Sequence, residues 1–346
     1  MAKLITASIA TALSFGSFTA SAQLTKLEAF AAPGGVSQLA YSSNANKLVV
    51  RNSASAIKVI DLTSHNIVST EMANARFTDM SLSPGGLVLY AADYAGEHIG
   101  YSEPLGQHYV HRLDLATNTW ATQTTNGVAG RIETVDDQRF ILQSTDQWIN
   151  FGVKQWGSGG AIDNVGNTVS WSVYSGNIQY DATHSRVIHG SSGISSPELS
   201  AFKLTGNTLT PQEGSGTYGS AYVPGAGNGA LLSSNDAYVY YGALQFDPLD
   251  VHALLRTFPE QILGANSLYA FSASNYYNQE TGALIGSLGG VFSAFAFSRT
   301  SNDFWAFDGS ANQLVHFASS VPEASTWMML SMGLVGLGWA TRRRNC

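Results

Sequence analysis

The stretch VSQLAYSSNANKLVVRNSASAIKVIDLTSHNIVST, residues 36–70, holds four short runs of strand-forming residues separated by turn formers. The runs are 37–41, 48–51, 57–61 and 67–70, and Asn44-Ala45-Asn46, residues 52–55 and Thr63-Ser64-His65-Asn66 lie between them. Val, Ile, Leu and Tyr suit a pleated, half-buried surface, whereas Asn and Ser side chains bond their own backbone and close turns. Four strands per unit of roughly 40 to 50 residues is the period of a propeller blade.

The unit recurs downstream. Residues 77–82, the turn Ser83-Pro84-Gly85-Gly86, then 87–91, 110–114 and 119–122 repeat it with an insertion at 92–108. A third copy opens at 131–135 and 139–143, and a fourth runs through 178–181, 186–190 and 199–204. A fifth is read at 218–223, 230–233, 238–246 and 253–258, and a sixth at 261–264, 268–271, 276–277 and 283–288. The last copy, 292–297, 303–307 and 314–317, supplies three strands, and the run 24–30 is left to complete it. An N-terminal strand there closes the ring and removes its edges. The sequence thus predicts an all-β propeller of seven blades. Six or eight remain open at this point because the third and fifth copies are weakly marked, and a two-domain β-sandwich is the competing architecture.

The connection between the last two strands of a copy is the most regular feature. It reads Ile60-Asp61-Leu62-Thr63, Leu113-Asp114-Leu115-Ala116-Thr117-Asn118, Phe246-Asp247-Pro248-Leu249 and Asn278-Gln279-Glu280-Thr281-Gly282. Asp or Asn at that point caps a tight turn with its own side chain. In strand order and in this turn the body resembles YVTN-type and quinoprotein-like propellers, a resemblance that implies architecture and no activity.

Both ends read as addresses. Lys3, the apolar run 4–18 and the small residues Ala20-Ser21-Ala22 lay out a secretory signal peptide, residues 1–22, cleaved before Gln23. At the other end stand Val321, Pro322, Glu323, Ala324, Ser325 and Thr326, then an uncharged segment 327–340, then Arg342, Arg343 and Arg344. As a helix the segment spans about 21 Å, short of the roughly 30 Å hydrocarbon core, and the arginines favour the cytoplasmic side. This order of motif, glycine-bearing apolar helix and basic stop resembles the PEP-CTERM sorting signal of Gram-negative bacteria, although Ala324 replaces the family's usual second proline. The resemblance implies a single transmembrane sorting helix, export through the Sec machinery, tail processing by the membrane transpeptidase exosortase, and association with the cell surface or exopolysaccharide. The expected domains are therefore 1–22, a propeller at 23–320 and the sorting signal at 321–346.

Removing the ends sharpens the composition. Of 17 Lys and Arg, Lys3 and the arginine triplet depart with them, against nearly all of the 24 Asp and Glu retained. An acidic body disfavours nucleic acid as a partner. The single cysteine, Cys346, also departs, so the mature chain has neither disulfide nor thiol nucleophile.

No catalytic residue is nominated. His98, His108 and His111, with Glu97 and Glu103, gather around the second copy's insertion and could suit zinc or copper, but a polar loop is the plainer reading. Gln38, Asp79, Glu133 and Gln179 fall at matching points of successive first strands, where Ala221 and Ala294 stand in later copies. Asp79 and Glu133 could together hold a calcium ion in the channel, an outline that resembles calcium-centred hydrolase propellers; the alternative is hydrogen bonding between blades. Without that ion no cofactor is expected. Tyr94, Tyr101, Tyr109, Trp148, Trp156 and Trp171 could stack on sugar rings or wedge between blades. The stretch 247–252 offers Asp and His, yet coincides with the repeated turn. The expected function is an exported surface or matrix-associated binding and scaffold protein, with exopolysaccharide or a surface protein as partner. A secreted hydrolase or lyase with a divalent cation in the channel is the alternative.

Overall fold

The computed structural model describes residues 23–69, 72, 75–93, 108–125, 129–143, 150–170, 176–191, 198–212 and 229–320. The chain divides into a body, Thr25–Ala318, and a unit made of its ends, Met1–Leu24 with Ser319–Cys346. Nearly all of the second unit lies outside the described residues, including the expected cleavage residues, the sorting stretch, the span 327–340 and the arginine triplet. Among the described residues no helix is long and apolar enough to cross a membrane.

The body is a seven-bladed β-propeller, as the repeats predicted. Blade 1 holds β2 (Val36–Ser42), β3 (Lys47–Asn52) and β4 (Ile57–Asp61). Blade 2 holds β5 (Phe77–Leu82), β6 (Val88–Asp93), β7 (His108–Asp114) and β8 (Thr119–Thr125). Blade 3 is β9 (Arg131–Thr134), β10 (Arg139–Gln143), β11 (Asn150–Gln155) and β12 (Asp163–Ser170). Blade 4 is β13 (Gly176–Asp181), β14 (Arg186–Ser191), β15 (Leu199–Thr205) and β16 (Thr208–Pro211). Blade 5 is β17 (Ala230–Leu232), β18 (Val239–Tyr241), β19 (Leu244–Asp247) and β20 (Asp250–Thr257). Blade 6 is β21 (Gly264–Ala265), β22 (Tyr269–Phe271), β23 (Asn275–Asn278) and β24 (Leu284–Ser287). Blade 7 runs β25 (Phe292–Phe297), β26 (Phe304–Asp308), β27 (Gln313–Ser320) and then β1 (Gln23–Ala31). The first strands touch in a closed ring, β2 to β5, β9, β13, β17, β21, β25 and back to β2.

The second strand of each blade explains why the blades stack. It is covered on both faces, so its residues are apolar in succession and alternate between two neighbours. In β3, Leu48 and Val50 join a cluster with Trp305 and Leu314 of blade 7, while Val49 joins Phe77, Leu89 and Leu113 of blade 2. In β6, Leu89 and Ala91 face blade 1, whereas Val88, Tyr90 and Ala92 pack on Ile132, Phe140 and Leu142 of blade 3. The core is therefore a ring of inter-blade layers.

The expected Asp/Asn turns are present. Asp61 Oδ1 accepts from the amides of Thr63 and Ser64 at 3.1 and 2.9 Å, and Asp114 Oδ1 accepts from Ala116 and Thr117 at 3.0 and 2.9 Å. Asp247 serves Leu249, Asn278 serves Glu280 and Thr281, and Asp308 repeats the turn in blade 7. The backbone amide of Ser64 and that of Thr117 hold the Asp61 and Asp114 carboxyls below the ordinary range. The suggested acid–base stretch 247–252 is this turn, with Asp250 accepting from the His252 amide at 3.0 Å.

Two strand assignments are corrected. The fourth strand of blade 1, expected at 67–70, shrinks to a bridge between Ile60 and Ile67, because the Ser69 hydroxyl accepts from the Val59 amide where a backbone carbonyl would. In blade 5 the run 238–246 is two strands. Tyr241 pairs with Leu244 around Gly242-Ala243, and Gly242 takes φ 63°, as a two-residue hairpin requires. Blade 5 therefore opens at Ala230, one strand later than expected, while 218–223 lies outside the described residues. Gly242 inside an otherwise strand-like run was the signal for the hairpin.

The N-terminal strand closes the ring. Glu28 on β1 sits between two histidines, 3.1 Å from His65 Nε2 of blade 1 and 3.4 Å from His316 Nδ1 of blade 7. Phe30 stacks on His65 with centroids 4.5 Å apart and packs at 5.2 Å against Trp305. His316 Nε2 meets Asp303 Oδ2 at 3.2 Å, and the Tyr41 hydroxyl donates to the same oxygen at 3.0 Å.

Candidate functional site

The centre of the ring is where side chains of several blades converge. Gln38 reaches from β2 to β5: its Nε2 donates to Asp79 Oδ1 at 2.9 Å and to the Met80 carbonyl at 2.8 Å, and its Oε1 accepts from the Met80 amide at 3.2 Å. Asp79 Oδ2 accepts from the Ile132 amide on β9 at 3.0 Å. Glu133 Oε1 accepts from the Tyr180 amide on β13 at 3.2 Å, and its Oε2 accepts from the Ser81 hydroxyl at 2.9 Å. Asn177 brackets Ala230 on β17, accepting from its amide and donating to its carbonyl, both at 2.6 Å. One polar side chain from each of blades 1 to 4 thus staples the next blade's first strand.

Asn177 escaped the sequence reading, which chose Gln179. The two share a face of β13, but Gln179 Nε2 donates to the adjacent Ile178 carbonyl at 3.0 Å. Gly229 makes room for the Asn177 staple, since a Cβ there would lie 2.1 Å from Asn177 Oδ1.

Blades 5 to 7 line the channel differently. Leu231, Leu263, Phe295 and Phe297 face it. Phe297 covers Gly264, where a Cβ would lie 2.7 Å from its ring, and Phe271 stacks on it at 5.6 Å. The channel is polar on one side and aromatic on the other.

Two cavities follow from this. One, of about 310 Å³, is lined by Ser37, Arg51, Asp79, Arg131, Asn177 and Gln179 among others. The other, of about 240 Å³, lies toward Tyr41, Phe297 and Arg299. Met80, Glu133 and Gln179 line both, so they form the waist.

Among the described residues Glu133 carries the most displaced carboxyl. Burial pushes it up to about 7, against the pull of the Tyr180 amide, Arg299 and Ser81, while Asp79 adds to the rise. The folded chain therefore holds this proton more tightly than the unfolded one. The stability it contributes is complete below about pH 4.5 and is lost as pH rises through about 7. The loss is at most about 3 kcal/mol, at roughly 1.4 kcal/mol per pH unit. Glu133→Gln keeps the acceptor for Tyr180 and carries no charge, so urea midpoints at pH 5 and pH 8 should converge in the variant while the parent weakens at pH 8. Equal pH slopes in the two proteins would contradict this.

The other expected groups separate. His111 is a satisfied core histidine, its Nε2 2.9 Å from Asp93 Oδ2 and its Nδ1 2.8 Å from Thr122 Oγ1. His108 is buried on the same strand, while His98, Glu97 and Glu103 lie outside the described residues. Among the described residues no group of three or more His, Cys, Asp or Glu is placed to hold a metal. Asp79 and Glu133 do share the channel, with hydrogen bonds on all four oxygens. Trp156 is wedged against Tyr90 at 5.8 Å between blades 2 and 3, and Tyr109 lies 6.2 Å from the His111 ring. Tyr94, Tyr101, Trp148 and Trp171 lie outside the described residues.

Residues 320–344 match the PEP-CTERM protein-sorting motif. The chain carries an exosortase sorting signal. A PEP-CTERM signal marks a protein that is exported and processed by exosortase, with a surface or extracellular destination. No curated protein sequence matches the chain significantly. Among solved structures the chain is similar to the β-propeller domain of Cps50 (Swd1) from Myceliophteria thermophila, with 12% identity and a TM-score of 0.56 over 86% of this chain and 100% of that one. At that identity the likeness concerns the fold alone.

Proposed function

We propose that the mature protein, residues 23–320, is a non-catalytic binding and scaffold module displayed at the cell surface or in the exopolysaccharide matrix. The observation that carries this reading is the use made of the channel carboxylates: Asp79 and Glu133 each spend both oxygens on hydrogen bonds that join β5, β9 and β13. Side chains committed in this way hold the ring together and leave its mouths and loops to make contacts. A glycan array probed with the exported protein tests it. Retention of a defined set of glycans supports the reading, and turnover of any of them overturns it.

One observation favours a second reading. Glu133 titrates near neutrality at the channel waist, which suits an acid–base group in a secreted hydrolase or lyase with a divalent cation beside Asp79. Metal analysis of the exported protein separates the two. Calcium that disappears with Asp79→Ala would support the enzyme, and a metal-free parent would count against it.

A further inference from the structure

We propose that the channel mouth between Arg51 and Arg131 binds a carboxylate-bearing sugar, one acidic monosaccharide unit at a time. The inference rests on the binding-module reading and names the class of ligand.

Arg131 opens β9 and lines the 310 Å³ cavity. It is half-buried, and among the described residues its guanidinium has no hydrogen bond or ion pair. An unpaired guanidinium at the edge of a cavity is available to an incoming anion, with which it forms charge-assisted hydrogen bonds. Arg51 reaches the same cavity from blade 1. Its Nε donates to Gln38 Oε1 at 3.1 Å and its Nη1 to the Phe77 carbonyl at 3.3 Å, so the fork is held in place with Nη2 to spare. Burial draws Arg51 below the ordinary arginine range; Asp79 opposes this and the neighbouring Arg131 charge adds to it. The two cations therefore sense each other across the mouth.

Charge and lining select the ligand. Glu133 lines the cavity as well, and burial keeps its carboxyl protonated below about pH 7; there Asp79 alone offsets one of the two guanidinium charges, and the excess of one suits a monoanion better than a dianion. A planar carboxylate also matches the guanidinium fork in two parallel bonds. Ser37, Asn177 and Gln179 add uncharged hydrogen-bonding groups to the lining, the last with its Oε1 unengaged among the described residues. Such groups suit hydroxyls. A volume at the low end of the roughly 300–1,000 Å³ range for ligand pockets admits one sugar ring.

The test is calorimetric titration of the exported protein, at pH 6 and constant ionic strength, where Glu133 holds its proton, with D-galacturonate, D-glucuronate, D-galactose and inorganic phosphate. At least one uronate should bind tenfold or more tighter than galactose, and tighter than phosphate. Arg131→Gln should weaken uronate binding at least tenfold, and Arg131→Lys should restore part of it. Arg131 makes no bond that the fold relies on, so both variants should melt with the parent. Equal binding of galactose and uronates, tighter binding of phosphate, or undiminished uronate binding by Arg131→Gln overturns the proposal. If neither uronate binds while the array still shows retained glycans, this inference falls and the binding-module reading stands.

Discussion

A variant lacking residues 25–31 should lose the cooperative melting transition and elute as aggregate. The deletion takes away the outer strand of blade 7, exposing the edge of β27 to pairing with other chains. It also removes Glu28 from between His65 and His316, and Phe30 from its contacts with His65 and Trp305. Those contacts join the last blade to the first, so the loss falls on the seam where the ring is completed. Circular dichroism melting and size-exclusion chromatography read the effect. A monomer that melts like the parent would show that closure by the N-terminal strand is dispensable.

Trp305→Ala should cost about 3–5 kcal/mol, the range for truncating a large, fully buried aromatic side chain. Trp305 is 0% exposed, lies parallel to His316 with centroids 4.6 Å apart, and packs among Leu48, Val50 and Leu314. The cavity opens between two blades whose backbones are held by their own ladders, so collapse recovers little of the loss. Leu249→Ala is the control: this leucine is 52% exposed at a turn and should cost no more than about 0.5 kcal/mol. Urea denaturation with an unchanged slope gives both values. A Trp305 penalty near that of Leu249 would contradict the inter-blade core.

Much of this architecture was legible because each blade repeats a local rule. Asp61, Asp114, Asp247 and Asn278 announced the last turn of their blades through side-chain chemistry that needs no tertiary context. The runs 48–51 and 87–91 were legible as strands, whereas their cover on both faces shows only once the neighbouring blades are in place. Gln38, Asp79 and Glu133 were aligned correctly on successive first strands, whereas their use as staples depends on where the next strand's amides lie. Asn177 was missed for the same reason: choosing between two residues on one face of β13 requires the position of Ala230. The pairing of Arg51 with Arg131 was not legible at all. They lie on a second strand of one blade and a first strand of another, and only the closed ring brings them to one mouth. Blade 5 was displaced because a strong aromatic run hid a hairpin at Gly242.

Mass spectrometry of the protein recovered from the cell surface and medium, from cells with and without exosortase, tests the central claim most directly. With exosortase present, peptides should begin at Gln23 and the peptide spanning Arg342 to Cys346 should be missing; without it, the tail should remain attached and the protein stay with the membrane. An intact Arg342 to Cys346 peptide in extracellular material from exosortase-positive cells would contradict the account.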